Sequence, residues 1–173
     1  RLDGLQNEGL AVDIGSNDGT LLSFFQSHGM SVLGIDPARD IAAAATSKGI
    51  ETLAEFFSSG LAEKLVHERG CAQIITANNV FAHADDLIDI VNGIRARCRP
   101  DFNVSIRLSP ERFGLRLAEV REVAQQFMTE GAIDFLDMSL WDVFKEPEEE
   151  EFKGRSLLSY FADLDRGDVK LGV

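Results

Sequence analysis

The sequence predicts an α/β fold: a single three-layer sandwich built on a mainly parallel sheet of about six strands. Three observations carry that reading. Short apolar runs alternate with helical patterns from end to end. Glycines close most of the helical segments. The resulting order is strand, helix, strand throughout, which calls for right-handed crossovers.

The elements follow in order. Leu10 to Ile14 is an apolar run ending at Gly15, and reads as the first strand. Thr20 to Ser27 reads as a helix stopped at His28-Gly29. Ser31 to Ile35 is the second strand. Pro37 opens a helix that Gly49 ends, and Ile50 to Leu53 is a short third strand. Leu61 to Arg69 is helical up to Gly70, and Ala72 to Thr76 is the fourth strand. Asp85 to Arg97 carries an apolar stripe at helical spacing. After Pro100 come a strand over Phe102 to Leu108, an amphipathic helix over Leu115 to Met128 and a strand over Ile133 to Met138. Beyond Trp141 the pattern loosens into an acidic run, Glu146 to Glu151, a helical turn or two near Leu157 to Phe161, and a final short strand within Asp168 to Val173. The acidic run reads as a solvated loop or a helix start.

Composition narrows the function. The 173 residues hold 29 acidic against 17 basic side chains, a net charge of −12. Such a surface repels phosphate backbones and anionic membranes, so no nucleic-acid or membrane partner is expected. No apolar run reaches the roughly 18 residues a membrane span needs. The two cysteines, Cys71 and Cys98, and the scattered His28, His67 and His83 lack the close spacing of a structural zinc site. No metal is expected, and the protein reads as reduced and cytoplasmic. Arg1 stands where a Met would open a complete chain, so the sequence reads as cut from something longer.

The sharpest motif is the loop Gly15-Ser16-Asn17-Asp18-Gly19 between the first strand and first helix. Glycines there let the backbone approach a ligand, Asn17 tolerates the left-handed region, and N–H groups at the helix start would face the ligand. The spacing is not that of the dinucleotide fingerprint. The plain alternative is a turn that only connects strand to helix. Asp36 ends the second strand, where an acid can accept ribose hydroxyls or simply cap the following helix.

The strings VDIGSNDGTLLSFFQSHGMSVLGIDPA and ITANNVFAHADDL resemble the S-adenosylmethionine domain of sugar C-methyltransferases, over roughly Gly9 to Ile94. The resemblance implies a Rossmann-like, methyltransferase-like fold. It places Asp13, Gly15, Ser16, Asn17 and Gly19 around the methionine and ribose of S-adenosylmethionine, and Asp36 on the ribose hydroxyls. Ala77, Asn78 and Asn79 would flank the adenine and sulfonium. His83 would be a general base for removing a proton beside a carbonyl, or else a loop histidine capping a helix. That family also carries an N-terminal cysteine-rich zinc module and a C-terminal domain that helps hold the sugar nucleotide. Nothing in this sequence resembles either, so the sugar site is expected to be mostly missing.

From about residue 95 the strings FNVSIRLSPERFG and AIDFLDMSLWDVFKEP resemble part of a flavin TIM barrel of the Old Yellow Enzyme type. That resemblance puts Arg107 opposite a flavin; otherwise it is a lone charge at a strand end. A barrel needs eight strand–helix units, about 250 residues, so flavin mononucleotide is not expected. The two resemblances together imply an engineered or recombined chimera, 1–95 joined to 96–173, folded as one domain. Three readings of its function stay open. It is a binding module with a residual S-adenosylmethionine half-site and no efficient catalysis; a small-molecule C-methyltransferase with His83 as base; or a purely structural protein without a ligand. Trp141, Phe144 and Tyr160 are the aromatic candidates for a substrate pocket, or else cover for the core. A small molecule is the most that is expected as partner, with the chain a monomer or weak dimer.

Overall fold

In the computed structural model, the residues described are 9–78, 80, 87–112, 114–129 and 133–173. The chain divides into two compact units, 1–102 and 103–173. The fold is α/β with parallel sheets and is Rossmann-like.

The first unit contains β1 (Leu10–Ile14), α1 (Thr20–Ser27), β2 (Ser31–Ile35), α2 (Arg39–Ser47), β3 (Thr52–Leu53), α3 (Ser59–Arg69), β4 (Ile74–Ala77) and α4 (Leu87–Arg97). The sheet order is β3-β2-β1-β4, all parallel. Strand alternation sends Val12, Leu33, Ile35 and Ile75 to one face, where Leu61 and Leu65 of α3 pack on them. Leu33 is fully buried, and a side chain of that size removed from water stabilises a fold by about 1.5–3 kcal/mol. α1 packs on β1 and β2, α2 on β3, and α3 on α4.

Several helix starts differ from the sequence expectation, and two of them follow from a side chain that holds a backbone N–H. Ser58 accepts the Leu61 N–H at 3.2 Å, so α3 begins at Ser59 rather than Leu61. Asp36 Oδ1 accepts the Ala38 N–H at 2.9 Å and Ala38 stays extended, so α2 begins at Arg39 rather than at Pro37.

The second unit contains β5 (Ser105–Leu108), α5 (Leu117–Thr129), β6 (Phe135–Met138), a single 3-10 turn at Glu150–Phe152, α6 (Ser159–Ala162) and β7 (Lys170–Gly172). Its strands run β5-β6-β7, again parallel. Ile106, Leu136 and Met138 of the sheet are buried, as are Leu117, Val120, Ala124, Phe127 and Met128 of α5 and Phe161 of α6. The acidic run is more than a solvated loop. Glu149 Oε1 accepts the Leu117 N–H at 2.6 Å, and the same carboxylate pairs with Arg116 at 3.3 Å. A carboxylate there satisfies a free donor of α5 and complements its dipole.

The expected single sheet of about six strands is corrected in one respect. The described strands form two sheets, of four and three strands. The reason is local pairing. β5, β6 and β7 satisfy their ladders with sequence neighbours, the usual outcome for consecutive parallel strands.

Candidate functional site at the carboxyl end of β1

In the first unit the chain runs outward from β1 to β2 and β3, then crosses back to β4 on the other side of β1. The direction in which strands are added therefore reverses at β1. Open parallel sheets bind ligands in the crevice made at such a reversal.

A polar row underlies this point. Register places Thr52 beside Gly34, Gly34 beside Asp13 and Asp13 beside Thr76, on the face away from the α3 cluster. Thr76 Oγ1 donates to Asp13 Oδ1 at 2.6 Å. Asp13 is 4% exposed, and burial pushes its carboxyl above the usual range. The Thr76 hydroxyl pulls it back down, and the nearby Asp36 charge pushes it up.

The loop above is held tightly. Gly15 lies at φ +69° and its N–H donates to Ile35 O at 2.7 Å. A Cβ there would come within 2.5 Å of Val80 Cγ2, so this residue must lack a side chain. Asn17 takes the left-handed conformation, φ +50°, as its residue type allows. Its N–H donates to Asp36 Oδ2 at 3.0 Å, while Oδ1 of the same carboxylate holds Ala38. Asp36 thus fastens the loop of β1 to the start of α2. Asp36 holds the turn before α2 without being its N-cap, which is Ala38, and a carboxylate accepting two bonds still has lone pairs for two hydroxyls. Ser16 is 4% exposed, and its Oγ has no hydrogen-bond partner among the described residues. It sits 2.5 Å from where a Cβ on Gly34 would be.

Several N–H groups of the loop are taken up within the chain. Those of Gly15 and Ser16 go to Ile35 O, Asn17 to Asp36, Gly19 to Ser16 O at 3.0 Å, and Thr20 to Asp18 Oδ1 at 3.0 Å. The hydrogen bonds from Thr20 hold the Asp18 carboxyl below its ordinary value. This end of the sheet offers acids: Asp13, Asp18 and Asp36. That charge pattern suits hydroxyls and a cation and repels a pyrophosphate.

Ala77 pairs with Ile14 in register at the end of β4, and Asn78 is exposed one residue beyond. The structure therefore brings Asp13, Gly15, Ser16, Asn17, Gly19, Asp36 and Ala77 to one end of the sheet. Asn79 and His83 lie outside the described residues. Sequence reasoning missed Gly34, Thr76 and Val80. A glycine inside the strand string SVLGI was the available signal for the first, since such a glycine marks close backbone approach.

The residues named in the second unit do something else. Arg107 lies beside Asp137 across the β5–β6 register and pairs with it at 2.5 Å, so it is not a lone charge. Trp141 and Phe144 are 80% and 86% exposed and do not cover the core. Tyr160 donates its hydroxyl to Phe152 O at 2.9 Å and meets the Phe152 ring edge-on. Among the described residues no group of three or more His, Cys, Asp or Glu could hold a metal ion, and no helix is long and apolar enough to cross a membrane.

A Rossmann-like unit with a reversal at β1, a tight glycine loop and an acid ending β2 is the class of fold that binds nucleoside-bearing ligands. The chain belongs to a methyltransferase family: residues 4–145 match the family described as "Methyltransferase domain". Over 98 residues, or 57% of this chain, it is 36% identical to the C-methyltransferase NovU of Streptomyces niveus. The matched part covers 23% of that protein's length. The family match crosses residue 95 and runs past β6. It gives no support to a junction there or to a flavin-barrel segment after it.

Proposed function

We propose that the first unit binds S-adenosylmethionine at the carboxyl ends of β1, β2 and β4, and that the chain is part of a small-molecule C-methyltransferase. The observation that carries this reading is Asp36. Its carboxylate joins the Asn17 and Ala38 N–H groups at the sheet reversal, beside a loop whose Gly15, Ser16, Gly19 and Thr20 amides are bonded within the chain. A nucleoside with a cationic sulfonium fits that arrangement; a dinucleotide does not. The family match and the C-methyltransferase relative agree with it.

In this reading Asp36 accepts the two ribose hydroxyls on its remaining lone pairs. Gly15, Asn17 and Gly19 form the floor against the ribose and methionine portions, with Ser16 and Asp13 beneath them. The carboxylates lower the potential around the sulfonium without touching phosphate. Ala77 and Asn78, with Asn79 beyond, border the adenine. When bound, the sulfonium supplies an electrophilic methyl group. His83, by the sugar C-methyltransferase resemblance, is the base that takes the proton from the acceptor carbon.

Calorimetric titration with S-adenosylmethionine and S-adenosylhomocysteine tests this, with NAD as a counter-ligand. The expected result is micromolar binding, about 8 kcal/mol, with no heat from NAD. Asp36→Ala, checked for folding by circular dichroism, should weaken binding at least tenfold, about 1.4 kcal/mol. No binding by a cooperatively folded wild-type sample overturns the proposal. Binding without methyl transfer to any carbon acid leaves the alternative of a residual half-site that does no efficient chemistry.

A further inference from the structure

The two cysteines of the chain lie far apart in sequence yet come together in the first unit. Cys71 follows α3 by two residues and Cys98 follows α4 directly. α3 and α4 pack on one another, so both chain segments leave the same helix pair. The Cys71 Sγ lies 3.5 Å from the carbonyl oxygen of Arg97, the residue bonded to Cys98. Cys71 is exposed and Cys98 half-buried. Burial pushes the Cys98 thiol up, the charge of Cys71 pushes it further, and Arg95 and Arg99 pull it down. Each thiol is therefore within electrostatic reach of the other.

We infer that Cys71 and Cys98 form a reversible dithiol–disulfide pair that staples the end of α3 to the end of α4. Cys71 is the first to react because it is exposed, and Cys98 resolves. The oxidant is a low-molecular-weight disulfide. The Cys71 thiolate attacks one of its sulfurs, forming a mixed disulfide and expelling one thiolate. The Cys98 thiolate then attacks the Cys71 sulfur, closing the protein disulfide and expelling the second thiolate. The protein loses two hydrogens as protons and two electrons, and the small disulfide is reduced to two thiols. The closed loop, residues 71–98, contains β4, and the staple lies before the amino end of that strand, the end opposite the proposed cofactor site.

The test uses the whole chain and oxidised glutathione at low protein concentration. Peptide mapping without reductant should show Cys71 joined to Cys98, in a monomer lighter by two hydrogens, with a melting temperature that rises and returns on reduction. Cys98→Ser should stop at a stable glutathione adduct on Cys71. Cys71→Ser should acquire an adduct on Cys98 far more slowly, because that thiol is half-buried. Two glutathione adducts on the wild-type chain, two surviving free thiols, or disulfide-linked dimers would overturn the pairing. Equal adduct rates in the two variants would overturn the assigned order of attack.

Discussion

The two units use the same parts and differ in what they do with the carboxyl ends of their strands. In the first, strand order β3-β2-β1-β4 reverses at β1, the kind of point at which open parallel sheets bind ligands. In the second, β5-β6-β7 runs in one direction with no reversal. There the strand-end region is held by local contacts. Arg107 pairs with Asp137, Lys145 with the carboxylate of Glu111 at 3.4 Å, and Arg112 stacks on Trp141 at 4.0 Å. Buried polar residues gather mainly in the first unit: Asp13, Ser16 and Asp36, against the 5%-exposed Glu111 side chain of the second, which pairs with Lys145. Burying such groups costs free energy unless they are bonded, and their concentration at the reversal agrees with the site proposed there. The lesson is that a βα unit becomes a site through strand order more than through its own residues.

Four substitutions can break or sharpen this contrast. The largest effect is expected from Phe161→Ala, since that ring is fully buried in the second unit. A loss of about 3–5 kcal/mol should appear in urea denaturation. A loss under about 1 kcal/mol would mean the second unit lacks a close-packed core. Next is Gly34→Val, whose new Cβ would meet Ser16 Oγ at 2.5 Å and Thr52 Oγ1 at 2.6 Å. It should cost about 2–3 kcal/mol and abolish S-adenosylmethionine binding in the same calorimeter. Unchanged binding would separate the polar row from the site.

A smaller effect is expected from Asp13→Asn, read as stability against pH. The Asp13 pKa is raised above its ordinary value of 3.8 in the folded chain. The folded state therefore holds that proton more tightly than the unfolded one. Its contribution is fully present below pH 3.8 and is lost as pH rises through the raised folded value. Asp13→Asn should flatten the stability curve over that window and leave neutral-pH stability equal or higher. A sharp fall at neutral pH would show that the charged form is favoured by bonds to its second oxygen. The smallest effect belongs to Arg107→Ala. Its side chain is 72% exposed, and exposed pairs contribute about 0–1 kcal/mol. Ligand binding should not change, and a loss of affinity would tie the second unit to the site.

Much of this was readable before any coordinates. The strands around Leu10, Ser31 and Phe135 stand where alternating apolar runs put them, because burial on a sheet writes its period directly into the sequence. Gly15, Asn17 and Asp36 were legible because few residue types tolerate a left-handed turn or usefully end a strand with a charge. Thr76, Val80 and Gly34 were not. Thr76 meets Asp13 across 63 positions, and Val80 reaches Gly15 across the β1–β4 boundary. No local pattern encodes such a pairing.

The sequence by itself determined the α/β class, the sites of the turns and the chemistry available at each strand end, since these depend on propensity and periodicity within a few residues. Only the tertiary structure decided that the described strands form two sheets, that the Gly15 amide bonds to Ile35, and that Asp36 fastens Asn17 to Ala38. Each depends on which distant groups meet. Backbone donors take the nearest competent acceptor, and that acceptor is supplied by the packing of other elements.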